Sequence, residues 1–168
     1  MLSYPPHLTL RGDFEIKDEN IPILISDLSD VASLQKKIVV QTSKFEFYPW
    51  KMVSLEVISN SALDNLHIMA MDTIQKYRTA WIPQVLIDNT SDYTEKQKEY
   101  IHEFGYQFAY EYFSPHFGLA GNDMTQEIFD TIKVKYHNRE EKINVSLEKI
   151  ALIDREKNNQ PIATFSLT

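Results

Sequence analysis

The chain has 168 residues, and its 17 Lys and Arg against 24 Asp and Glu give a formal net charge of −7 at pH 7. At about one domain per 150 residues, this length predicts a single domain over 1–168, and an apolar share of 43% is sufficient for a packed core. The absence of cysteine excludes disulfide scaffolds, thiolate zinc sites and cysteine nucleophiles.

Two periodicities alternate along the chain. Apolar residues at every second position predict strands over 8–10, 52–58, 145–153 and 162–167, with a bulge in 145–153 where the apolar phase changes. Helices are predicted over 29–38, 61–77 and 124–136, and a capping-box pattern predicts another from Thr94 to Gly105. Interleaved strands and helices of this kind are typical of an α+β fold with helices packed over largely antiparallel sheet.

The amino terminus and the net charge limit the classes of partner. Met1–Pro6 has neither the basic nor the apolar region of a signal peptide, and no apolar run reaches the roughly 18 residues that a membrane span requires. We therefore expect a cytoplasmic protein that does not bind membranes. Because each phosphate contact requires a cation, the acidic charge also argues against binding to a long nucleic-acid duplex.

Two segments share the pattern Pro-His-apolar-small-Leu, and they are Pro5–Leu10 and Ser114–Leu119. Each is predicted to form a short strand, in which residues i and i+2 lie on one face. His7 therefore projects together with Thr9, and His116 shares a face with Gly118. If the two strands lie side by side, the two imidazoles face each other across a cleft.

Two opposed histidines form an acid–base pair near neutral pH, because one can accept a proton while the other donates one. In-line attack on a phosphodiester needs a base on the side of the nucleophile and an acid on the side of the leaving oxygen. The Thr9 hydroxyl, on the same face as His7, can donate to a non-bridging phosphate oxygen. This chemistry requires no metal and no cofactor, so none is predicted.

The two segments resemble the motifs of the 2H phosphoesterases, a family named for two His-x-Thr/Ser motifs in a two-lobed, pseudo-symmetric α+β fold. The resemblance is closer to a branch named for phosphonate metabolism. In that branch the first motif is similar to Tyr4–Leu10 followed by Phe14, and the second follows a segment similar to Glu103–Phe108. The resemblance covers most of the chain and implies that His7 and His116 are catalytic on either side of a central cleft.

The sequence departs from the family pattern after the second histidine and before the first motif. Gly118 stands where the family has Thr or Ser, so one phosphate-binding hydroxyl is missing, and the Tyr106 or Tyr110 hydroxyl is a candidate substitute. Gln107 and Phe108 replace a Pro-Tyr pair of the substrate wall. The family's leading strand and helix are also absent, which predicts an open edge that a second copy of the chain would cover in a homodimer.

Other assignments remain open at this stage. A rival second motif lies at Trp81–Leu86, where Gln84 stands in the place of the histidine. Arg11 is a candidate for binding the substrate phosphate, although charged side chains more often form a solvated face. His67 and His102, which lie within predicted helices, are expected to be helix-surface residues rather than metal ligands.

These patterns predict a metal-independent phosphodiesterase that acts on a cyclic phosphate or a small phosphodiester. The resemblance implies RNA-derived 2′,3′-cyclic phosphates, 2′-5′ linkages or a sugar cyclic phosphate as substrates. The alternative is a module that kept the fold, lost turnover and binds a phosphate ester or short oligonucleotide. The predicted site consists of two catalytic and five substrate-binding residues: His7 and His116, with Thr9, Gly118, Tyr106, Tyr110 and Arg11.

Overall fold

The computed structural model describes residues 7–121, 124–157 and 159–168. Its helices are α1 (Ile21–Ser33), α2 (Ser61–Gln75), α3 (Gln84–Asp88), α4 (Glu95–Phe104) and α5 (Gln126–Tyr136). Its strands are β1 (Ile38–Phe47), β2 (Val53–Ile58), β3 (His116–Ala120), β4 (Asn144–Leu147), β5 (Lys149–Asp154) and β6 (Gln160–Ser166). The strand pairs β1–β2, β2–β3 and β5–β6 are antiparallel, so the architecture is α+β.

The chain divides into two compact units. Among the described residues, the first unit comprises 7–9, 39–60 and 114–146. The second unit comprises Leu10–Ile38, Ser61–Phe113 and 147–168. Each unit is therefore assembled from stretches of chain that are far apart in sequence.

The first unit contains a four-stranded sheet in the order β3-β2-β1-β4. One face of this sheet is apolar and packs on α5. The Phe45 ring lies 5.2 Å from that of Tyr136, and the Phe47 ring lies 6.0 Å from that of Phe129. Because cross-strand partners share a face, Leu55, which pairs with both Phe45 and Phe117, also lies on this buried side. The polar residues of the same strands consequently project from the opposite face.

The second unit packs α1, α2 and α4 with the β5–β6 hairpin. One core cluster joins Leu24 and Leu28 of α1 to Ile74 of α2 and Leu152 of β5. A second cluster is aromatic and contains Met71, Tyr100, Phe104, Tyr106 and Ala109. No helix in the described part of the chain is both long enough and apolar enough to cross a membrane.

The structure confirms the elements that carry local signals. Helix α2 begins at Ser61 as predicted, and α5 lies within the predicted 124–136. Thr94 and Gln97 form both hydrogen bonds of a capping box at the start of α4, and Gly105 ends that helix with φ = 66°. Glycine is favoured there because a Cβ atom is strained in the left-handed region.

Three predicted elements differ from the structure. The strand placed at 8–10 is reduced to a single bridge at Leu8. The helix placed at 29–38 is α1, which runs from Ile21 to Ser33, while Ile38 already belongs to β1. The Pro22 ring suits the first turn of a helix, so α1 begins earlier than the proposed start at Ser29. The segment 145–153 is not one bulged strand, because β4 and β5 lie in different sheets.

Candidate functional site

A backbone bridge places the two predicted histidine motifs side by side. Leu8 pairs with Phe117 in an antiparallel bridge within the first unit. If the antiparallel register continues for one residue on either side of this bridge, Thr9 lies opposite His116 and His7 lies opposite Gly118. His7 and His116 are then diagonal neighbours on one face, a relation that separates residues by about 7–8 Å. The face opposite Leu8 and Phe117 therefore carries both imidazoles.

The neighbouring strands add polar side chains to this face. In the β2–β3 pairing, Glu56 lies opposite His116, and Ser54 lies opposite Gly118. In the β1–β2 pairing, Glu46 lies opposite Ser54. We call this surface the histidine face, and it comprises His7, Thr9, Glu46, Tyr48, Ser54, Glu56, His116 and Gly118.

The His116 imidazole is held in one tautomer by the backbone. Its Nδ1 lies 2.9 Å from the Ser114 carbonyl oxygen. Because a carbonyl oxygen only accepts, Nδ1 must carry the hydrogen of this bond. The neutral ring then presents Nε2 as an acceptor, and the protonated ring presents it as a donor. His116 is half-buried, whereas His7 and Thr9 are exposed, so all three lie within reach of a ligand.

Tyr48 lies beside His116 on the histidine face. The two ring centroids are 6.2 Å apart, and the Tyr48 hydroxyl donates to Glu46 Oε2 over 2.8 Å. Burial, followed by this hydrogen bond, raises the pKa of Tyr48 to about 12. Tyr48 is therefore a neutral side chain at physiological pH.

Gly118 leaves space on the histidine face. A Cβ atom built at this position meets only the Met52 methyl group within 4 Å, at 3.9 Å. The Ser54 hydroxyl, on the paired position, is fully buried and has no hydrogen-bond partner of ordinary geometry in the described part of the chain. A side-chain interaction of Ser54 with Tyr48 opposes the rise in the Tyr48 pKa.

The other predicted site residues lie in the second unit, where the Arg11 guanidinium and the Tyr110 hydroxyl have hydrogen-bond partners. The Arg11 guanidinium donates to the carbonyl oxygens of Gly12, Asp13 and Phe104, and burial lowers its pKa to about 10. It also lies over the Tyr106 ring, with 5.5 Å from Cζ to the centroid.

The Tyr110 hydroxyl donates to Asp72 Oδ1 over 2.8 Å. The rival motif is not on a strand, because Gln84 begins α3 and its amide donates to Asp88. The structure thus brings together His7, Thr9, His116 and Gly118 in one unit, and it places Arg11, Tyr106 and Tyr110 in the other.

The expectation that His67 lies on a helix surface was wrong. Its side chain is 1% exposed, its Nδ1 donates to the Leu10 carbonyl oxygen over 2.7 Å, and its Nε2 accepts from the Tyr110 amide over 2.9 Å. The ring stacks on Phe113 with a centroid separation of 4.1 Å. The spacing of buried residues in α2, with Leu63, Leu66, Ala70 and Ile74 on either side of His67, would have identified this position.

The sequence analysis also missed the side chains that β1 and β2 contribute to the histidine face. Ser54 and Glu56 are the polar members of the alternation in β2, and their position beside the histidines follows only from the pairing of β2 with β3. A hollow of about 330 Å³ in the first unit is lined by Lys44, Phe45, Glu46, Phe47, Tyr48, Lys133 and His137. It adjoins the histidine face through Glu46 and Tyr48.

No group of three or more His, Asp or Glu side chains within 7–121, 124–157 and 159–168 is arranged to hold a metal ion. The side chains of the histidine face can transfer protons through imidazole and form hydrogen bonds through hydroxyl groups.

Comparison with known proteins relates part of the chain to two bacterial proteins. "Putative phosphoesterase GWCH70_0799" from Geobacillus sp. (strain WCH70) is 37% identical over 65 residues, which is 38% of this chain and 38% of the relative. "Putative phosphoesterase GK0864" from Geobacillus kaustophilus (strain HTA426) is 35% identical over 65 residues, again 38% of each chain. The match thus spans less than half the length of these relatives, and no protein-family model matches the chain.

Proposed function

We propose that this protein is a phosphoesterase of the 2H type, which opens a cyclic phosphate or cleaves a small phosphodiester with His7 and His116 as its acid–base pair. The observation that supports the proposal is the antiparallel bridge between Leu8 and Phe117, because a regular register continued from it would put both imidazoles on one face. The names of the two partly matching relatives support the same class of reaction.

The proposed reaction is in-line attack of water on phosphorus. One imidazole removes a proton from water as the new P–O bond forms, and the other donates a proton to the ester oxygen as its bond to phosphorus breaks. The products are a phosphomonoester and a free hydroxyl. His116 exchanges its proton through Nε2, since Nδ1 is held by Ser114. The Thr9 hydroxyl, opposite His116, donates to a non-bridging oxygen as negative charge develops there.

The substrates that this mechanism accommodates are RNA-derived 2′,3′-cyclic phosphates, 2′-5′ linkages and sugar cyclic phosphates. In all three, the reacting group is a phosphodiester whose leaving oxygen is an alcohol that needs a proton. Neither step calls for a metal, because imidazoles supply both proton transfers near neutral pH.

A second candidate function is binding without turnover. Gly118 favours it, because the Thr or Ser hydroxyl of the 2H motif is missing there. Loss of one transition-state donor costs about 10²–10³-fold in rate. The ligand of such a module would still be a phosphate ester or a short oligonucleotide.

The test is an assay with nucleoside 2′,3′-cyclic phosphates in the presence of EDTA. We expect turnover in the wild type and a loss of about 10²–10⁴-fold in kcat in both His7→Ala and His116→Ala. His102→Ala is the matched control, because His102 is an exposed histidine on α4. Activity that EDTA abolishes, or that survives both substitutions, would refute the acid–base pair. Ligand binding without turnover would support the binding module instead.

A further inference from the structure

An exposed tryptophan extends the histidine face at the turn between β1 and β2. Trp50 is 57% exposed although it is one of the largest apolar side chains of the protein. Its ring stacks on Tyr48 with a centroid separation of 4.9 Å and an interplanar angle of 27°. Since Tyr48 in turn lies 6.2 Å from the His116 ring, the Trp50 centroid is within about 11 Å of this imidazole.

The turn that carries Trp50 is fixed by hydrogen bonds. The Tyr48 amide donates to the Met52 carbonyl oxygen over 2.9 Å, and the Lys51 amide donates to the Tyr48 carbonyl oxygen over 3.0 Å. The Lys51 ammonium group also donates to the carbonyl oxygen of Met124 over 3.0 Å. On the other side, the Tyr48 hydroxyl is held by Glu46. Both rings are thus supported independently of a ligand, so little conformational entropy would be lost on stacking.

We propose that Trp50, backed by Tyr48, is a stacking surface for the base of the substrate, and that the substrate is therefore a nucleotide rather than a sugar phosphate without a base. This inference rests on the proposed function, because His116 marks where the phosphoryl group reacts. Stacking on an aromatic side chain uses the flat face of a base. It therefore does not depend on which hydrogen-bond donors and acceptors the base carries. A base presents a flat π face to this ring, whereas a base-free sugar phosphate presents only the C–H groups of its sugar.

The position of the stacked pair relative to His116 distinguishes this surface from an ordinary exposed tryptophan. Trp81, the other tryptophan of the chain, is 42% exposed and lies in the second unit, away from both predicted motif strands in the sequence. It therefore provides a matched control for exposure and residue type. Alanine substitution of a stacking residue weakens binding by about 5- to 150-fold per base.

The kinetic experiment compares a nucleoside 2′,3′-cyclic phosphate with glycerol 1,2-cyclic phosphate, which has the same reacting ring and no base. We expect Trp50→Ala to raise KM for the nucleotide by about 5- to 150-fold with little change in kcat, and to leave the base-free substrate unaffected. Trp50→Phe should restore much of the affinity, and Trp81→Ala should match the wild type. Equal effects of Trp50→Ala on both substrates would overturn the proposal.

A binding experiment separates failure of this inference from failure of the proposed function. In Trp81→Phe, Trp50 is the sole tryptophan, so its fluorescence reports on the stacking surface. We expect quenching by a nucleoside 3′-monophosphate and none by ribose 5-phosphate. Quenching without any turnover would support base stacking at Trp50 and refute the proposed hydrolase activity. Turnover with no quenching would refute the stacking surface at Trp50 and support the hydrolase activity. If neither turnover nor quenching were observed, both proposals would be refuted.

Discussion

At the scale of single residues, Gly118 is the clearest departure of this site from the 2H pattern. The space at its Cβ position and its place in an extended strand mean that glycine is not required there by the backbone. The buried Ser54 hydroxyl on the paired residue has no hydrogen-bond partner of ordinary geometry in the described part of the chain, although it interacts with the Tyr48 side chain. The structure therefore leaves room for a Cβ atom at this position.

Gly118→Thr should consequently keep the fold and increase the phosphodiesterase activity that we propose for this protein. A glycine within a strand costs about 0.5–1 kcal/mol relative to alanine, so stability should stay equal or rise slightly. The added hydroxyl can contribute up to about the 10²-fold that one transition-state donor supplies. The measurement is kcat/KM beside thermal unfolding, with Gly118→Ala as the control that adds a methyl group and no hydroxyl. A lower melting temperature, or equal activity in both variants, would contradict this account of the site.

Sequence reasoning found the residues of the site that are adjacent along the chain and missed those that depend on strand pairing. His7 and Thr9 share a face by the period of a strand, and so do His116 and Gly118. Tyr48 reaches His116 only because β1 pairs with β2 and β2 pairs with β3. Such contacts are fixed by the register between distant segments, which no local pattern encodes.

At the scale of elements, the predictable helices are those with signals at both ends. Helix α4 has its capping box and its terminal glycine, and α2 has a buried stripe. Strand β1 was missed because Ile38, Val39 and Val40 form a continuous apolar run, although only Ile38 and Val40 are buried. The period-2 pattern is hidden where an exposed position also carries an apolar side chain.

The end of α4 gives a prediction at the same scale. Gly105→Ala should destabilise the protein by more than about 1 kcal/mol, because its left-handed φ of 66° already costs an L-residue about 1–2 kcal/mol. The new Cβ atom would also lie 3.1 Å from the Trp81 carbonyl oxygen and 2.8 Å from Arg78 Nη2. Urea unfolding measures the change, and Gly118→Ala serves as the control glycine substitution in open space. Equal stability of Gly105→Ala and Gly118→Ala would mean that a Cβ atom causes no strain at residue 105, and it would contradict the prediction.

At the scale of the whole molecule, His67 joins stretches of chain that are far apart in sequence. The chain passes between the units at Thr9–Leu10 and again at Phe113–Ser114. Within the second unit, His67 hydrogen-bonds Leu10 at the first of these points and stacks on Phe113 at the second. The Tyr110 amide donates to His67 Nε2, and Tyr110 itself has a strained φ of 51°. A single buried imidazole thus contacts two residues of the second unit, Leu10 and Phe113, that are far apart in sequence.

This arrangement makes part of the stability depend on pH. Burial is the main cause that lowers the pKa of His67, against the opposing influence of the Leu10 carbonyl and of Asp64 and Asp72, and protonated Nε2 would lose the bond from the Tyr110 amide. The unfolded chain therefore binds more protons than the folded one below the ordinary histidine pKa of about 6.5. The stability that His67 contributes is complete above that pH and is lost as the pH falls toward its lower folded-state pKa.

His67→Gln should accordingly be less stable than the wild type by about 1–3 kcal/mol at pH 7.5, since a buried, doubly hydrogen-bonded group is replaced. At pH 5.5 the difference should narrow, because only the wild type loses stability through this histidine. Urea unfolding at the two pH values measures both free energies. His102→Gln, at an exposed position, should stay within about 0.5 kcal/mol of the wild type at each pH. A difference between His67→Gln and the wild type that is constant or widens on acidification would mean that folding does not lower the pKa of His67.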